Sequence, residues 1–246
     1  MPFAADGKLF YRTTGTGGNT AVFLHGAAGS GLLFGNQFQA FRNQAQCFFV
    51  DLPGHGASPR LPTDSTIRTY ADSVVNFIRE LKRPVDLLGH SMGGAIALEF
   101  ALSNPELLRR LILVATGCRF RGSDEILKWL EENYDDGLDR IARNCFSDSV
   151  DANLLQTSRS QMARTDPEIV RADFLACSSF NRCDRLQEIR VPTLVICGED
   201  DRMAPVELSR QLADSIPNAR LEVIPRGSHL VMLEQPERFN QLLAHL

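Results

Sequence analysis

A serine flanked by two glycines, directly after a short apolar run, constrains this chain more than any other feature. Val85–Leu88 (VDLL) predicts a strand, and the turn Gly89–Gly93 (GHSMG) follows it at once. The apolar helical stretch after this turn ends before Pro105. Because glycine lacks a Cβ, the backbone can turn sharply and the helix can pack closely on the strand. Such a turn strains the serine and exposes its hydroxyl, so we expect Ser91 to be a nucleophile.

Short apolar runs alternate with longer amphipathic patterns, which is typical of a mostly parallel sheet flanked by helices. Apolar residues at helical spacing predict an amphipathic helix over 66–82, and a second helix over 235–245 closes the chain. The predicted strands are Lys8–Arg12, Ala21–Leu24, Cys47–Val50, Val85–Leu88, Leu111–Ala115, Thr193–Cys197 and Leu221–Ile224. The pattern predicts an α/β fold class.

The alternation stops between residues 117 and 190, where helical patches occur without a convincing strand. We expect residues 1–116 and 191–246 to form one α/β core. Residues 117–190 are expected to form a helical cap inserted after the sixth strand. An insertion at that place would lie over the carboxyl edge of the sheet and act as a lid.

Composition excludes several classes of protein. The 246 residues are 43% hydrophobic and 23% charged, enough for one sizeable core. A net charge of −4 predicts no basic surface, which argues against nucleic acid or anionic lipid as a partner. The N-terminus has no basic segment followed by an apolar one, and no apolar run approaches the roughly 18 residues that span a bilayer. We therefore expect a cytoplasmic protein that binds no membrane, whose partner is a small molecule.

The cysteines predict neither a metal site nor a cofactor. They form no C-x-x-C pair and no Cys/His cluster, which makes zinc improbable. Cys47 and Cys197 lie in predicted strands, where we expect small buried hydrophobic side chains. Cys177 and Cys183 are close enough in sequence to approach each other, but the lack of an export signal argues against a disulfide.

A serine nucleophile needs a base, and the base needs an acid that orients it. His229 follows the last predicted strand and precedes the final helix, at the sheet edge to which Ser91 also points. We predict that His229 is the general base. His90 is expected to pack, His55 to hydrogen-bond within its own turn, and His245 to have no role.

The acid is expected in the loop Gly198–Pro205, which follows the penultimate strand and contains three carboxylates. That position gives the chain order serine, acid, histidine. The residues themselves do not choose between Asp200 and Asp201. One of them is expected to meet the imidazole, and the other to cap the helix opened by Pro205.

Acyl transfer also requires hydrogen-bond donors at the oxygen that becomes negative. The loop His25–Gly31 (HGAAGSG) follows a predicted strand, and its small residues allow backbone N–H groups to approach a substrate. We assign the N–H of Ala27 as one donor and the N–H of Met92 as the other. The loop has neither G-x-G-x-x-G nor G-K-[ST], so a nucleotide site is not expected.

With these segments identified, the sequence resembles the α/β-hydrolase superfamily along nearly its whole length. In that family the acidic residue is third after the glycine of its loop, which favours Asp201. The resemblance implies a serine hydrolase, most similar to small carboxylesterases and enol-lactonases with a helical lid. The matching segments are His25–Gly26, the D-x-P-G-x-G-x-S turn Asp51–Ser58, the elbow Gly89–Gly94, the acid loop Gly198–Pro205 and the histidine loop Gly227–Glu237.

The resemblance leaves the substrate pocket less constrained than the catalytic residues. Arginines of the insertion are expected in solvated positions, although they have the charge to meet a substrate carboxylate; they are Arg119, Arg121 and Arg143. The residues expected to contact substrate are His25, Gly26, Trp129, Phe146, Phe174 and Leu230.

The expected reaction is cleavage of a small, largely apolar carboxylic ester or lactone through an acyl-enzyme on Ser91. Haloalkane dehalogenases resemble the chain but carry aspartate at that position. Carbon–carbon bond hydrolysis of ring-cleavage products is an alternative, although hydrolases of that kind typically carry Asn before the serine and Trp after the histidine, where this chain has His90 and Leu230. Cofactor-free perhydrolases share the serine followed by Met92. A ligand receptor that retains the triad is the alternative from another class.

Overall fold

One sheet of seven strands runs through the computed structural model, which describes residues 3–60 and 65–244. Its order is β1-β3-β2-β4-β5-β6-β7, with β1 antiparallel to β3 and the other pairs parallel. The strands are β1 (Phe10–Thr14), β2 (Thr20–Leu24), β3 (Gln46–Asp51), β4 (Val85–His90), β5 (Leu108–Val114), β6 (Thr193–Gly198) and β7 (Ala219–Ile224). The predicted fold class is confirmed. The first predicted strand was placed two residues too early.

Helices cover both faces of the sheet. The helix predicted over 66–82 is present, and Thr66 begins it through a capping box with Thr69. Across the described chain, no helix combines the length and apolar character needed to cross a bilayer. His245 lies outside the described residues. The helices are α1 (Gly35–Ala40), α2 (Ile67–Glu80), α3 (Met92–Ser103), α4 (Ser123–Glu132), α5 (Tyr134–Asn144), α6 (Ala152–Met162), α7 (Pro167–Ser179), α8 (Val206–Ser215), α9 (Val231–Glu234) and α10 (Pro236–Leu242).

Two apolar layers sandwich the sheet because successive side chains of a strand point to opposite faces. In β2, Val22 and Leu24 join the cluster that contains the buried residues of α2 and α3. Ala21 and Phe23 join the opposite cluster, which includes residues of α9 and α10. Strands covered on both faces read as continuous apolar runs, which is why they could be recognised in the sequence.

Residues 117–190 contain α4 to α7 and lie between β5 and β6. The insertion thus follows the fifth strand of this chain, and the expectation of six preceding strands is wrong by one. Helix α4 packs against α5 and α7, and α5 packs against α6. Buried insertion residues such as Leu138 and Cys177 belong to the two clusters that cover the sheet. The insertion therefore shares the core of the sheet.

A disulfide joins Cys118 to Cys183, the two ends of the inserted segment, with the Cα atoms 4.9 Å apart. The sequence argued against a disulfide and suggested only Cys177 as a partner for Cys183. That expectation is wrong, and Cys177 lies buried on α7 as a free thiol. Cys118 and Cys183 are separated by 65 residues, so no local spacing signalled the bond. Cys47 and Cys197 are buried free thiols, as predicted.

Candidate active site

Ser91 stands in a strained turn between β4 and α3. Its φ of 53° and ψ of −119° are unfavourable for a residue with a side chain. The turn is held because the N–H of Ser91 donates to the Val114 carbonyl at 2.9 Å and the Thr116 hydroxyl donates to the Ser91 carbonyl at 2.8 Å. A strained serine at the carboxyl end of a central strand is the geometry of a nucleophile elbow.

Both glycines of the elbow stand where a side chain would collide with backbone. A Cβ on Gly89 would overlap the carbonyl of Gly93, one turn further along. A Cβ on Gly93 would overlap the carbonyl oxygens of Leu24 and His25 at the end of β2. The two glycines therefore allow α3 to begin directly against the neighbouring strand.

His229 and Asp201 form a buried pair next to this elbow. The Nδ1 of His229 lies 2.9 Å from Oδ2 and 3.1 Å from Oδ1 of Asp201. Oδ1 of Asp201 also accepts from the backbone N–H groups of Met203 and Ala204, at 2.9 and 2.8 Å. A carboxylate at Nδ1 places the proton of a neutral imidazole there, which leaves Nε2 as the basic nitrogen.

Ser91 and His229 line the same cavity. Within the described chain, the serine hydroxyl donates no hydrogen bond to the imidazole. Catalytic hydrogen bonds of unliganded enzymes are often long and shorten only when substrate binds. The two side chains therefore border the same cavity. In the described chain, no other protein group makes a hydrogen bond with the serine hydroxyl.

Asp200, the neighbour of Asp201, is exposed, and the imidazole of His229 contacts Asp201 instead. Its backbone N–H donates to the Gly227 carbonyl at 2.8 Å, which ties the acid loop to the histidine loop. The expectation that the second aspartate caps the next helix is wrong. Helix α8 begins after Pro205 without a side-chain cap, and Asp201 instead accepts from the N–H groups of Met203 and Ala204, in the loop before the helix.

The loop His25–Gly31 (the oxyanion loop), predicted to supply an oxyanion donor, and the start of α3 both present unused donors. Among the described residues, neither the N–H of Ala27 nor that of Met92 donates a hydrogen bond to the protein. Ala27 lines the cavity beside Ser91, and Met92 is the first residue of α3, where N–H groups have no partner within the helix. Both groups are therefore available to a ligand oxygen.

The cavity has a volume of about 290 Å³ and lies between the elbow and the inserted helices. Its walls contain no Lys, Arg, Asp or Glu side chain from the described part of the chain, so Arg119, Arg121 and Arg143 do not reach it. The oxyanion loop forms one wall. The inserted segment supplies apolar contacts and three polar ones; these are Ile141, Cys145, Leu154, Met162 and Phe174, with Thr157, Ser158 and Gln161.

Three of the six residues expected to contact substrate line this cavity, namely Gly26, Phe174 and Leu230. The prediction is wrong for His25, Trp129 and Phe146, which do not line the cavity. Trp129 lies on α4 with the Arg140 guanidinium 5.8 Å from its ring, and Phe146 is 1% exposed within the apolar core. An aromatic residue on an amphipathic helix faces core or cavity according to how the helix is rotated, which its spacing does not reveal.

His25 lies behind the cavity wall as a buried support of its loop. Its Nε2 accepts from the N–H of Leu52 at 3.0 Å, and its Nδ1 lies 2.8 Å from the carbonyl of Gly26. Burial, with a smaller contribution from His55, holds the pKa of His25 well below its ordinary value. His25 is therefore neutral, with Nδ1 as the donor and Nε2 as the acceptor.

His90 supports the histidine loop through a hydrogen bond to its backbone. Its Nε2 lies 3.0 Å from the backbone carbonyl of His229, and the two rings are 4.8 Å apart. Burial, and then the neighbouring His229, hold the pKa of His90 well below its ordinary value, so the ring is neutral and Nε2 donates. The sequence predicted a packing role, and the structure adds this hydrogen bond.

Glu234 also positions the histidine loop, and sequence reasoning did not identify it. Its carboxylate accepts from the N–H of Ser228 at 2.7 Å and from the N–H of Ser147 at 2.9 Å. It therefore connects the residue before His229 to the inserted segment. The available signal was its position inside the segment that resembles the family's histidine loop.

The sheet, the serine elbow after β4, and the acid and histidine after β6 and β7 define an α/β hydrolase. The profile described as the alpha/beta hydrolase family matches residues 21–242, and the chain belongs to this family. The protein is a hydrolase, as its relatives are.

Two curated relatives and one solved structure illustrate the range of that family. The chain is 33% identical, over 96% of its length and 89% of the relative's, to the 2-hydroxy-6-oxononadienedioate/2-hydroxy-6-oxononatrienedioate hydrolase of Paraburkholderia phymatum. It is 29% identical to the pimeloyl-(acyl-carrier protein) methyl ester esterase of Chromobacterium violaceum, over 96% and 97% of the two chains. An esterase from Exiguobacterium antarcticum has a TM-score of 0.91 at 25% identity, with 98% and 96% coverage.

Proposed function

We propose that this hydrolase cleaves small, neutral, largely apolar carboxylic esters or lactones through an acyl-enzyme on Ser91. The observation that carries the proposal is a strained serine and a buried His229–Asp201 pair that open onto one uncharged cavity. The residues for nucleophilic attack, proton transfer and imidazole orientation thus surround one space.

In the proposed mechanism, Ser91 Oγ attacks the substrate carbonyl while Nε2 of His229 accepts the hydroxyl proton. Asp201 holds the imidazole by Nδ1–H and stabilises the imidazolium. The N–H groups of Ala27 and Met92 donate to the oxyanion. Collapse of the tetrahedral intermediate expels the alkoxide, which takes the proton from His229. Water then attacks the acyl-enzyme by the same steps and releases the acid and the free serine.

The uncharged cavity walls favour a neutral substrate over a dicarboxylate. The Paraburkholderia relative is named for a dioate, which carries two carboxylates. Burying a carboxylate without a cation is costly, and among the described residues the cavity wall contains no Lys or Arg side chain. This supports ester or lactone hydrolysis rather than carbon–carbon cleavage of such a dianion.

The inserted segment 117–190 is proposed to act as the cap of the active site. Its helices α5, α6 and α7 contribute Ile141, Leu154 and Phe174 to the cavity wall. A cavity of about 290 Å³ is at the small end of ligand pockets, which run from ~300 to 1,000 Å³. The cap therefore favours substrates of a few carbons on either side of the ester bond.

The cytoplasmic location expected from the N-terminus stays a proposal. The Cys118–Cys183 disulfide counts against it, because disulfides are rare in reducing compartments. Blocking free thiols at cell lysis and counting them by mass determines whether the pair is oxidised in the cell.

The test is hydrolysis of matched p-nitrophenyl esters by the wild type and Ser91→Ala. We expect the wild type to turn over p-nitrophenyl pentanoate, and Ser91→Ala to lower kcat by about 10⁴-fold or more. The glutarate monoester, with a carboxylate in place of the terminal methyl, should have a kcat/KM about 100-fold lower. Its methyl ester, of similar length but neutral, is the control for size. Ser160→Ala, an exposed serine of α6, is the control variant.

Three outcomes would contradict the proposal. Near wild-type hydrolysis by Ser91→Ala would show that Ser91 is not the nucleophile. A preference for the glutarate monoester over its methyl ester would overturn the assignment of a neutral substrate. Binding without turnover across a panel of short esters and lactones would indicate a receptor.

A further inference from the structure

A buried carboxylate of the cap reaches the oxyanion loop, and no step of the proposed mechanism uses it. Asp173 lies on α7 and is fully buried. Its Oδ2 accepts from the backbone N–H of Ala28 at 2.9 Å and lies 2.8 Å from Nε2 of His55. Its Oδ1 accepts from the Tyr70 hydroxyl at 2.8 Å. Residues from three separate segments therefore converge on one side chain of a fourth.

The backbone that Asp173 holds is a strained turn. The N–H of Gly29 donates to the carbonyl of Gly26 at 3.2 Å, which closes a β-turn over these four residues. Ala28, at the third position, has a φ of 56°, whereas Ala27 is outside the left-handed region. This is the pattern of a type II turn, whose third position normally requires glycine.

Asp173 contacts the peptide group that decides the type of this turn. The peptide between Ala27 and Ala28 lies at the centre of the turn, and its rotation would convert a type II turn into a type I turn with negative φ at Ala28. The hydrogen bond from Ala28 N–H to Asp173 opposes that rotation. On the other side, the Thr165 hydroxyl donates to the Ala28 carbonyl at 3.3 Å. Two residues of the inserted segment thus hold a conformation that alanine does not favour.

His55 is paired with the carboxylate of Asp173 in this buried site. Burial lowers the pKa of His55, but the charge of Asp173 and the hydrogen bonds to it and to Pro53 outweigh burial and raise it. The Nδ1 of His55 lies 3.0 Å from the Pro53 carbonyl, so both ring nitrogens face acceptors. The expectation that His55 bonds within its own turn is confirmed, and the structure adds its pairing with the cap.

We propose that Asp173 is a positioning residue of the oxyanion hole. It holds the turn Gly26–Gly29 in the conformation that presents the Ala27 N–H to the reacting oxygen. This inference rests on the proposed function, since it concerns the same site. It follows that the oxyanion hole depends on the docked cap, because α7 carries the acceptor that stabilises the turn.

The experiment compares three variants with the wild type on p-nitrophenyl pentanoate. Asp173→Ala removes the acceptor, so we expect kcat to fall about tenfold or more, with KM changed less than about twofold. Asp173→Asn keeps an amide oxygen for the Ala28 N–H and should retain most of the activity. Tyr70→Phe is the matched control, because it removes a bond to the other carboxylate oxygen and leaves the Ala28 contact intact. Melting temperatures record the loss of stability separately.

A second substitution that restores activity distinguishes a positioning role of Asp173 from a general role in stability. In Asp173→Ala/Ala28→Gly, glycine adopts the positive φ without strain, so kcat should recover several-fold relative to Asp173→Ala. The single variant Ala28→Gly is the reference. Should Asp173→Ala fail to fold, Asp173→Ser takes its place, since its hydroxyl is too short to span the contact. Labelling of Ser91 by a fluorophosphonate is a second reaction that needs the oxyanion hole. The labelling rates should rank the variants in the same order as their kcat values.

The outcomes separate this inference from the proposed function. Wild-type turnover together with an unchanged kcat in Asp173→Ala would overturn the inference and leave the proposed function intact. Equal losses of kcat in Asp173→Ala and Tyr70→Phe, without rescue by glycine, would also overturn it. A wild type that neither hydrolyses esters nor reacts with the fluorophosphonate would refute the proposed function, and the inference with it.

Discussion

Asp201 and Asp200 are chemically identical neighbours with different surroundings. The carboxylate of Asp201 is buried and receives two backbone N–H groups and the imidazole of His229. The side chain of Asp200 is exposed, so water screens its interactions. In the proposed mechanism only a fixed, desolvated carboxylate can hold the imidazole in one tautomer.

Replacing each aspartate by asparagine should separate their roles. We expect Asp201→Asn to lower kcat about 10³- to 10⁴-fold, because an amide no longer selects the tautomer with a basic Nε2. Asp200→Asn should change kcat less than about twofold, since it removes one exposed charge. Steady-state kinetics on p-nitrophenyl pentanoate measure both. A larger loss of kcat in Asp200→Asn than in Asp201→Asn would show that Asp201 is not the acid that orients the imidazole.

The elbow between β4 and α3 shows how two elements position one side chain. Helix α3 is buried from Met92 to Ala101, so it is held on every side by the sheet and by α2. The close start of the helix is what raises Ser91 above the edge of the sheet. Strain in the turn is thus balanced by packing of the strand and the helix that flank it.

Adding one methyl group at the elbow should disrupt this packing. In Gly93→Ala the new Cβ meets the carbonyl oxygens at the end of β2, which are backbone and cannot rotate away. We expect the free energy of unfolding to fall by roughly 3 kcal/mol, the upper end of overpacking costs. Gly18→Ala is the control, because its Cβ meets no atom within 4 Å. Urea denaturation followed by tryptophan fluorescence measures both, and equal stabilities would refute the packing explanation.

Across the whole molecule, the inserted segment 117–190 is joined to the core by packing and by polar contacts, and a disulfide links its two ends. Helix α7 carries Asp173 to the oxyanion loop, and Glu234 of α9 accepts from Ser147 of the insertion. The Cys118–Cys183 disulfide closes the base of the insertion. The inserted segment is therefore held where it contacts the loop His25–Gly31 and the histidine loop, and its two ends are fixed to each other.

Breaking the disulfide should affect stability more than catalysis. It closes a loop with a sequence separation of 65 residues, and its loss should lower the free energy of unfolding by about 2–4 kcal/mol. In oxidising buffer the wild type should be more stable than Cys183→Ala, whereas with dithiothreitol the two should become similar. Their kcat values should agree within about twofold below the unfolding temperature. A stability difference that persists under reduction would show that the bond is not its cause.

Features that depend on neighbouring residues could be read from the sequence. Glycines around Ser91, small residues after β2 and apolar runs bounded by turns are local requirements of backbone geometry, and they predicted the elbow, the loop and the sheet. His229 and the acid loop followed from chain order, because the carboxyl ends of parallel strands share one edge. The choice of Asp201 over Asp200 needed the resemblance to a family.

Features that depend on distant contacts were decided by the fold alone. The partner of Cys183 lies 65 residues away, and Asp173 meets residues more than 100 positions earlier in the chain. Whether Phe146, just after α5, or Phe174, on α7, faces the cavity depends on how the inserted segment packs on the core, since both are apolar and buried. A sequence specifies which side chains avoid water. Which of them meet each other depends on how the helices pack on the sheet.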